Sequence, residues 1–149
     1  MQIVNSSSEA HRVRFITFSN FGVYVGEKPV RFKYKKTLEM LAVLVDRMGR
    51  LCGMSEIMDC LWEDENNKTR HSSYMRHLKS DLLNTFEALG LSELFLQKNN
   101  MLGIRVSEVS CDYYDYLQAL RNGEKPFWSG EYMSQYSWAE HTIAEIAKA

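Results

Sequence analysis

The stretch that decides the fold runs from Thr69 to Val106 and reads TRHSSYMRHLKSDLLNTFEALGLSELFLQKNNMLGIRV. Its first half carries apolar residues at helical spacing as far as Gly90, a residue type that commonly follows a helix end. Its second half has two short runs, Phe95–Lys98 and Leu102–Val106, around Asn99-Asn100. Two such runs around a polar turn predict a β-hairpin. We therefore expect a helix over about 69–89, followed by a hairpin with a polar, basic tip.

The predicted helix has two chemically different faces when its residues are placed at about 100° per position. The apolar face consists of Tyr74, Met75, Leu78, Leu82 and Leu89. The opposite face is polar and partly cationic, which predicts that it faces solvent or a ligand. Its members are Ser72, Ser73, Arg76, His77, Lys79, Ser80 and Asn84.

Two other kinds of element precede this helix. Residues 13–18 and 21–25 are rich in β-branched and aromatic side chains and predict two strands; 26–29 predicts a turn and 30–32 a third strand. Residues 38–45 then have helical periodicity up to Gly49. A shorter helix follows near Met54–Trp62, with Ser55 as its expected N-cap.

The order sheet, helix, helix, longer helix, hairpin predicts the α+β class. In detail, it predicts a winged helix-turn-helix with an N-terminal antiparallel sheet and a C-terminal β-hairpin wing, followed by a short helical extension. We expect three parts: a flexible leader or linker remnant over 1–11, the winged-helix domain over 12–108 and an aromatic-rich helical extension over 109–149. The aromatic residues of the extension are expected to pack against the sheet or second helix; a partner or dimer surface is the alternative.

The composition favours a cytoplasmic globular protein. Hydrophobic residues make up 45% and charged residues 25% of the 149 residues, and no apolar run approaches the roughly 18 residues of a membrane span. Residues 11–105 contain 15 Lys and Arg against 11 Asp and Glu, whereas residues 106–149 contain 3 against 7. The body is therefore mildly basic and the tail acidic, which permits nucleic-acid binding without demonstrating it.

Neither a metal or cofactor site nor an active site is indicated. The histidines, residues 11, 71, 77 and 141, and the cysteines, residues 52, 60 and 111, lack the paired spacing of metal ligands, and we expect the thiols to be reduced. His71, Ser72 and Asp81 are close in sequence but point in different directions on one helix, so they form no triad. We therefore expect a protein that is not an enzyme.

The polar face of the long helix suits the major groove of double-stranded DNA, where Arg reads guanine and smaller polar side chains make more tolerant contacts. Arg76 is the expected main base reader, joined by Ser73, His77 and Ser80. Hairpin residues 97–105 are expected to reach the backbone or the minor groove. The residues expected to contact the DNA backbone are Arg70, Ser72, Lys79, Lys98, Asn99, Asn100 and Arg105.

An interaction module that keeps the winged-helix fold without DNA affinity is the alternative, and the near-neutral net charge of -1 favours it. The polar helix face alone does not decide between the two, because any amphipathic surface helix has such a face.

Several stretches resemble the DNA-binding part of bacterial transcriptional activator domain proteins, the SARP-like regulators, whose DNA-binding portion is an OmpR/PhoB-type winged helix. They are Phe18–Val25, Phe32–Ala42, Leu61-Trp62, Cys111–Tyr114 and Gly130–Glu140. The chain departs from the family at the returning wing strand, where Leu102–Arg105 replaces a common Gly-Tyr pair, and after Trp138, where little of the helical activator region follows.

The resemblance implies transcription activation at direct repeats by a head-to-tail homodimer, with a loop that contacts RNA polymerase. It also implies a response-regulator context, in which a receiver domain of a two-component system precedes such a domain, and the Ser-rich leader fits a linker at that point. Repression instead of activation is left open. The implied polymerase-contact loop consists of Glu63, Asp64, Glu65, Asn66, Asn67 and Lys68.

Overall fold

A computed structural model describes residues 13–63, 65 and 68–149. Within these residues the chain forms two compact units. The first contains the chain up to Val30 together with Ser107–Ala149, and the second contains Arg31–Val106. The contacts therefore group the N-terminal sheet with the C-terminal extension, whereas the sequence grouped that sheet with the helices and hairpin.

The first unit is built on a four-stranded sheet in the order β3 (Lys28–Pro29), β2 (Gly22–Val25), β1 (Val13–Ile16) and β7 (Ser110–Cys111). β1 is antiparallel to β2 and parallel to β7, which is the element that brings the extension to the sheet. The elements of this unit are β1 (Val13–Ile16), β2 (Gly22–Val25), β3 (Lys28–Pro29), β7 (Ser110–Cys111), α4 (Asp112–Arg121) and α5 (Glu140–Lys148).

The described part of the second unit contains three α-helices and a three-stranded sheet in the order β4 (Cys52–Gly53), β6 (Met101–Ile104) and β5 (Phe95–Lys98). Together the two units give the mixed α+β fold that the sequence predicts. Helix, strand, helix, helix and hairpin follow one another along the second unit, which is a winged-helix-like order. Its elements are α1 (Lys35–Asp46), β4 (Cys52–Gly53), α2 (Met54–Leu61), α3 (Ser72–Ala88), β5 (Phe95–Lys98) and β6 (Met101–Ile104).

Three features in the first half of the chain differ from the prediction: the position of the third strand, the N-cap of the second helix and one additional short strand. The third strand is Lys28–Pro29, because Gly26 adopts a φ of 63° that permits a two-residue turn, and Lys28 already pairs with Val25. The residue at the N-cap of α2 is Gly53, which makes no side-chain cap, so Ser55 is not the cap. β4 is too short to leave a periodic signal in the sequence.

The long helix is shorter than predicted at both ends. Residues Lys68–His71 form a 3-10 turn, and α3 begins at Ser72. It ends at Ala88, so Leu89 lies outside the helix next to Gly90, which has a φ of 75°, and is exposed instead of packed. Phe86 takes the inward position that the sequence assigned to Leu89, since it is fully buried.

The aromatic extension packs around Phe18, immediately after β1. The rings of Tyr113, Tyr116 and Trp128 lie within 6.3 Å of the Phe18 ring, and that of Tyr132 lies at 6.4 Å. Packing of the extension onto the sheet region is therefore confirmed for these residues.

The segment from Tyr132 to Tyr136 is not helical, although it lies within the extension over 109–149 that the sequence predicts to be helical. It runs instead along the turn that joins β1 to β2: Met133 N donates to Thr17 O and Ser134 N donates to Ser19 O. Helical structure resumes only at the 3-10 turn Ser137–Ala139 and α5. These backbone hydrogen bonds replace the helical ones that a continuous helical extension would have made.

One carboxylate of the second unit, that of Asp81, joins α3 to the start of α1. It accepts hydrogen bonds from the backbone N–H groups of Lys33 and Tyr34 at 3.2 and 3.0 Å and from Thr37 Oγ1 at 2.6 Å. No side chain of α1 itself caps that helix, and Tyr34 occupies the N-cap position. A negative charge there also suits the helix dipole. Asp81 therefore sets where α3 lies along α1.

In the part of the chain that the structure describes, every helix is too short or too polar to cross a membrane.

Replacing Asp81 by alanine is expected to lower the free energy of unfolding by about 1–3 kcal/mol, because the buried Thr37 hydroxyl loses its acceptor. Urea denaturation followed by circular dichroism measures the change. Asp59→Ala is the matched control, since Asp59 is an exposed aspartate of the same unit. Equal effects of the two substitutions would contradict the assigned role.

Tyr132→Ala is expected to lower the free energy of unfolding by about 3–5 kcal/mol, the usual cost of removing a large buried ring. Tyr132 is completely buried, whereas Phe127, in the same unit, is 87% exposed. Phe127→Ala should therefore change stability by less than about 0.5 kcal/mol. A small loss in the Tyr132 variant would show that the extension contributes little to the folded unit.

Candidate nucleic-acid interface

Helix α3 divides into a buried and an exposed face, as the periodicity predicts. Met75, Leu78, Leu82 and Phe86 are buried in the second unit. All four side chains predicted to read bases, those of Ser73, Arg76, His77 and Ser80, are exposed. Ser72 is also exposed and Lys79 is half-buried.

A cavity of about 460 Å³ lies between α2, α3 and the turn of the β5-β6 hairpin. It brings together four of the predicted contact residues, three from α3 and one from the hairpin tip. Four further residues line it that the sequence did not single out as contacts. The complete lining is Met54, Ser55, Met58, Ser72, Met75, Arg76, Lys79 and Asn100.

Ser73, His77 and Ser80 do not line this cavity. At about 100° per residue they fall within about 60° of one another, on the side of α3 opposite its buried face. Arg76 lies about 60° from Ser73 and Lys79 about 120° from it, both in the direction of the cavity. The exposed surface of α3 therefore has an outermost row, Ser73, His77 and Ser80, and a cavity flank, Ser72, Arg76 and Lys79.

The hairpin presents its polar tip to solvent. Lys98 pairs with Met101, so Asn99 and Asn100 form a two-residue turn, and Asn99 has a φ of 56°. Asparagine tolerates this left-handed conformation better than most residues, which explains its place in the turn. Lys98, Asn99 and Asn100 are all exposed. The predicted hairpin forms, but its returning strand is Met101–Ile104 instead of Leu102–Val106, because Met101 already pairs with Lys98.

Arg105 is at the other end of the hairpin. β6 ends at Ile104, which pairs with Phe95, and Arg105 Nε donates to the Glu93 carbonyl at 2.8 Å. The structure therefore does not bring Arg105 to the tip with Asn99 and Asn100.

An aromatic stack holds the start of α3. The His71 ring lies on the Trp62 ring at a centroid distance of 3.9 Å and an interplanar angle of 3°. His71 Nε2 is 2.8 Å from Glu65 Oε1, and Arg70 is ion-paired with the same oxygen at 3.4 Å. The hydrogen bond to His71 lowers the pKa of Glu65. Arg70, which was predicted to contact the DNA backbone, is exposed but forms an ion pair with Glu65.

The implied polymerase-contact loop is described only in part. Asp64, Asn66, Asn67 and the Lys68 side chain lie outside the described residues. Glu63 is exposed, and Glu65 is joined to the start of α3 as described above.

Several acidic side chains of the second unit have partners within it, whereas some of its basic side chains form no ion pair among the described residues. Residues 31–106 contain twelve Lys and Arg against ten Asp and Glu, a net charge of +2. Among the described acidic side chains of the unit, those of Glu39, Asp46, Glu56 and Glu65 form ion pairs and that of Asp81 accepts hydrogen bonds. Hydrogen bonds from Arg50 and Arg47 lower the pKa of Glu56. Among the described residues, no ion pair involves Arg76, Lys79 or Lys98.

Two of the thiols are enclosed by protein. Burial raises the pKa of Cys52 to about 11 and that of Cys111 to about 12. Both are therefore protonated at neutral pH, which makes them poor nucleophiles. Within residues 13–63, 65 and 68–149, no three His, Cys, Asp or Glu side chains are grouped to hold a metal ion.

Fold and surface together define a winged-helix-like protein with an exposed polar helix beside a hairpin tip. The fold is also found in a solved structure, Mycobacterium tuberculosis EmbR in complex with low affinity phosphopeptide. The similarity covers 92% of this chain and 42% of the EmbR chain, with a TM-score of 0.68 and 15% sequence identity. At that identity the likeness shows a shared fold. No protein-family model and no curated sequence matches the chain.

Replacing His71 by alanine is expected to loosen the first turn of α3, since the stack on Trp62 and the contact with Glu65 are lost together. Amide hydrogen exchange should become faster in residues 72–75 and change little in residues 82–86. His141→Ala is the control, because His141 is exposed in the other unit. Uniformly faster exchange along α3 would indicate general destabilisation instead.

Proposed function

We propose that this protein is a sequence-specific, double-stranded DNA-binding transcription regulator and not an enzyme. The observation that supports it most strongly is that the exposed face of α3 and the hairpin tip line one cavity, and that Arg76 and Lys79 form no ion pair there with any residue that the structure describes. Such a surface suits a polyanion whose neighbouring phosphates must be neutralised.

In the proposed complex, α3 enters the major groove and the hairpin acts as the wing. Ser73, His77 and Ser80 face the base edges, since they are the outermost side chains of the helix. The proposed backbone contacts are Arg70, Ser72, Lys79, Lys98, Asn99 and Asn100, with Arg105 reaching the strand from the base of the hairpin.

The resemblance to SARP-like regulators supports a finer proposal. The protein would act as a transcription activator on direct repeats, as a head-to-tail homodimer, with residues 63–68 contacting RNA polymerase. The phosphopeptide of the EmbR complex is not carried over, because this chain spans less than half of that protein.

An interaction module without DNA affinity is the second candidate. The small net charge of the second unit, +2, favours it, because DNA-binding domains are usually more basic. The two candidates differ in one measurable property: DNA affinity falls steeply with salt as counterions are released, and a protein-binding surface ignores duplex DNA.

The decisive experiment selects binding fragments from sheared genomic DNA and titrates the best duplex by fluorescence anisotropy over a salt series. Arg76→Ala is expected to weaken binding by about 1–3 kcal/mol, or about 5- to 150-fold, because the cation faces the nucleic acid. Arg121→Ala, which removes an exposed arginine from the other unit, should bind as the wild type does. No enriched fragment and no salt-sensitive binding would favour the interaction module.

A further inference from the structure

The cavity beside α3 is lined by cations, by hydrogen-bonding groups and by apolar side chains. Hydrogen bonding to the edge of a DNA base would not need the apolar part. Two cations, Arg76 and Lys79, lie along its α3 side. Hydrogen-bonding groups surround them, namely the hydroxyls of Ser55 and Ser72 and the amide of Asn100. Methionines supply the remainder: Met54 and Met58 from α2, and Met75, which is almost completely buried.

No carboxylate lines this cavity among the residues that the structure describes. A negatively charged occupant therefore meets the two cations and no negative charge from the described lining residues. The flexible, polarizable methionine side chains adapt to an irregular apolar surface. Anionic oxygens together with C–H-rich rings are the chemistry of a sugar–phosphate strand, in which a phosphate meets the cations and a deoxyribose meets the methionines.

The direction of Arg76 separates it from the outermost row of α3. Ser73, His77 and Ser80 point most directly away from the buried face of α3. Arg76 lies about 60° around the helix from Ser73, on the side of Lys79. Arg76 and Lys79 are three residues apart, so they are neighbours on the helix surface. Both line the cavity, and none of the three outermost residues does.

We infer that the cavity between α2, α3 and the hairpin tip holds one sugar–phosphate strand of the DNA. Arg76 and Lys79 bind its phosphates, and Arg76 does not read guanine as the sequence pattern predicts. The inference rests on the proposed function, since it assigns roles within the same DNA complex. It also leaves base discrimination to Ser73, His77 and Ser80.

The two roles of Arg76 predict different behaviour in lysine and alanine variants. A phosphate accepts the point charge of lysine, whereas paired hydrogen bonds to guanine need the planar guanidinium. Arg76→Lys should therefore bind the selected duplex within about threefold of the wild type. Arg76→Ala should lower the slope of log affinity against log salt by about 0.9, so between about 50 and about 200 mM salt the wild type loses about 3.5-fold more affinity than the variant.

The test titrates the wild type, Arg76→Lys, Arg76→Ala, Lys79→Ala and His77→Ala against the selected duplex and all its single-base variants. The expected result is that Arg76→Ala and Lys79→Ala weaken every duplex by a common factor and reduce the salt slope. His77→Ala should instead flatten the preference at one position and leave the slope nearly unchanged.

The inference is overturned if Arg76→Ala and Arg76→Lys both lose the preference for guanine at one position while other positions keep theirs. In that case the proposed function stands, because wild-type binding is still sequence-specific and salt-dependent. If the wild type shows no salt-dependent binding to any duplex, both the proposed function and this inference fail.

Discussion

The carboxylate of Asp81 is the contact on which the arrangement of the second unit depends. It lies on α3, yet its principal hydrogen-bond donors belong to the segment that begins α1. A shift of α3 along its axis would separate the carboxylate from Lys33, Tyr34 and Thr37 at once. Helix α3 also carries the proposed DNA-reading side chains. The hydrogen bonds of Asp81 to the start of α1 therefore help to fix which residues of α3 face solvent.

The two ends of α3 are held by different interactions. At its start, His71 stacks on Trp62 and contacts Glu65, which lies within the implied polymerase-contact loop. Towards its end, Phe86 packs between the rings of Phe32 and Phe95. Ring packing therefore holds the second half of the helix in the unit, while the contacts of His71 connect its start to the preceding loop. If this loop contacts a second partner, as proposed, it has a direct physical connection to the helix that is proposed to face DNA.

In the first unit, a second aspartate has a comparable role. Asp112 accepts hydrogen bonds from the backbone of Thr17 and Phe18 and from the Thr17 hydroxyl, across more than ninety residues of sequence. Gln135 and Phe21 exchange two further hydrogen bonds. These contacts, with β7 beside β1, explain why the extension folds onto the N-terminal sheet instead of forming a separate part of the molecule.

The sequence by itself determined the α+β class, the two faces of α3 and the hairpin with its Asn99-Asn100 turn, because periodicity and turn chemistry act over a few neighbouring residues. Tertiary structure decided which distant residues meet. No local pattern marks Asp81 as a cap for α1, Met54 and Met58 as partners of Arg76 in one cavity, or β7 as a neighbour of β1. Tertiary structure also set where helices and strands end. Leu89, for example, continues the apolar periodicity but lies beyond the last turn of α3. Such contacts depend on how helices and strands pack, and packing joins residues that the chain keeps far apart.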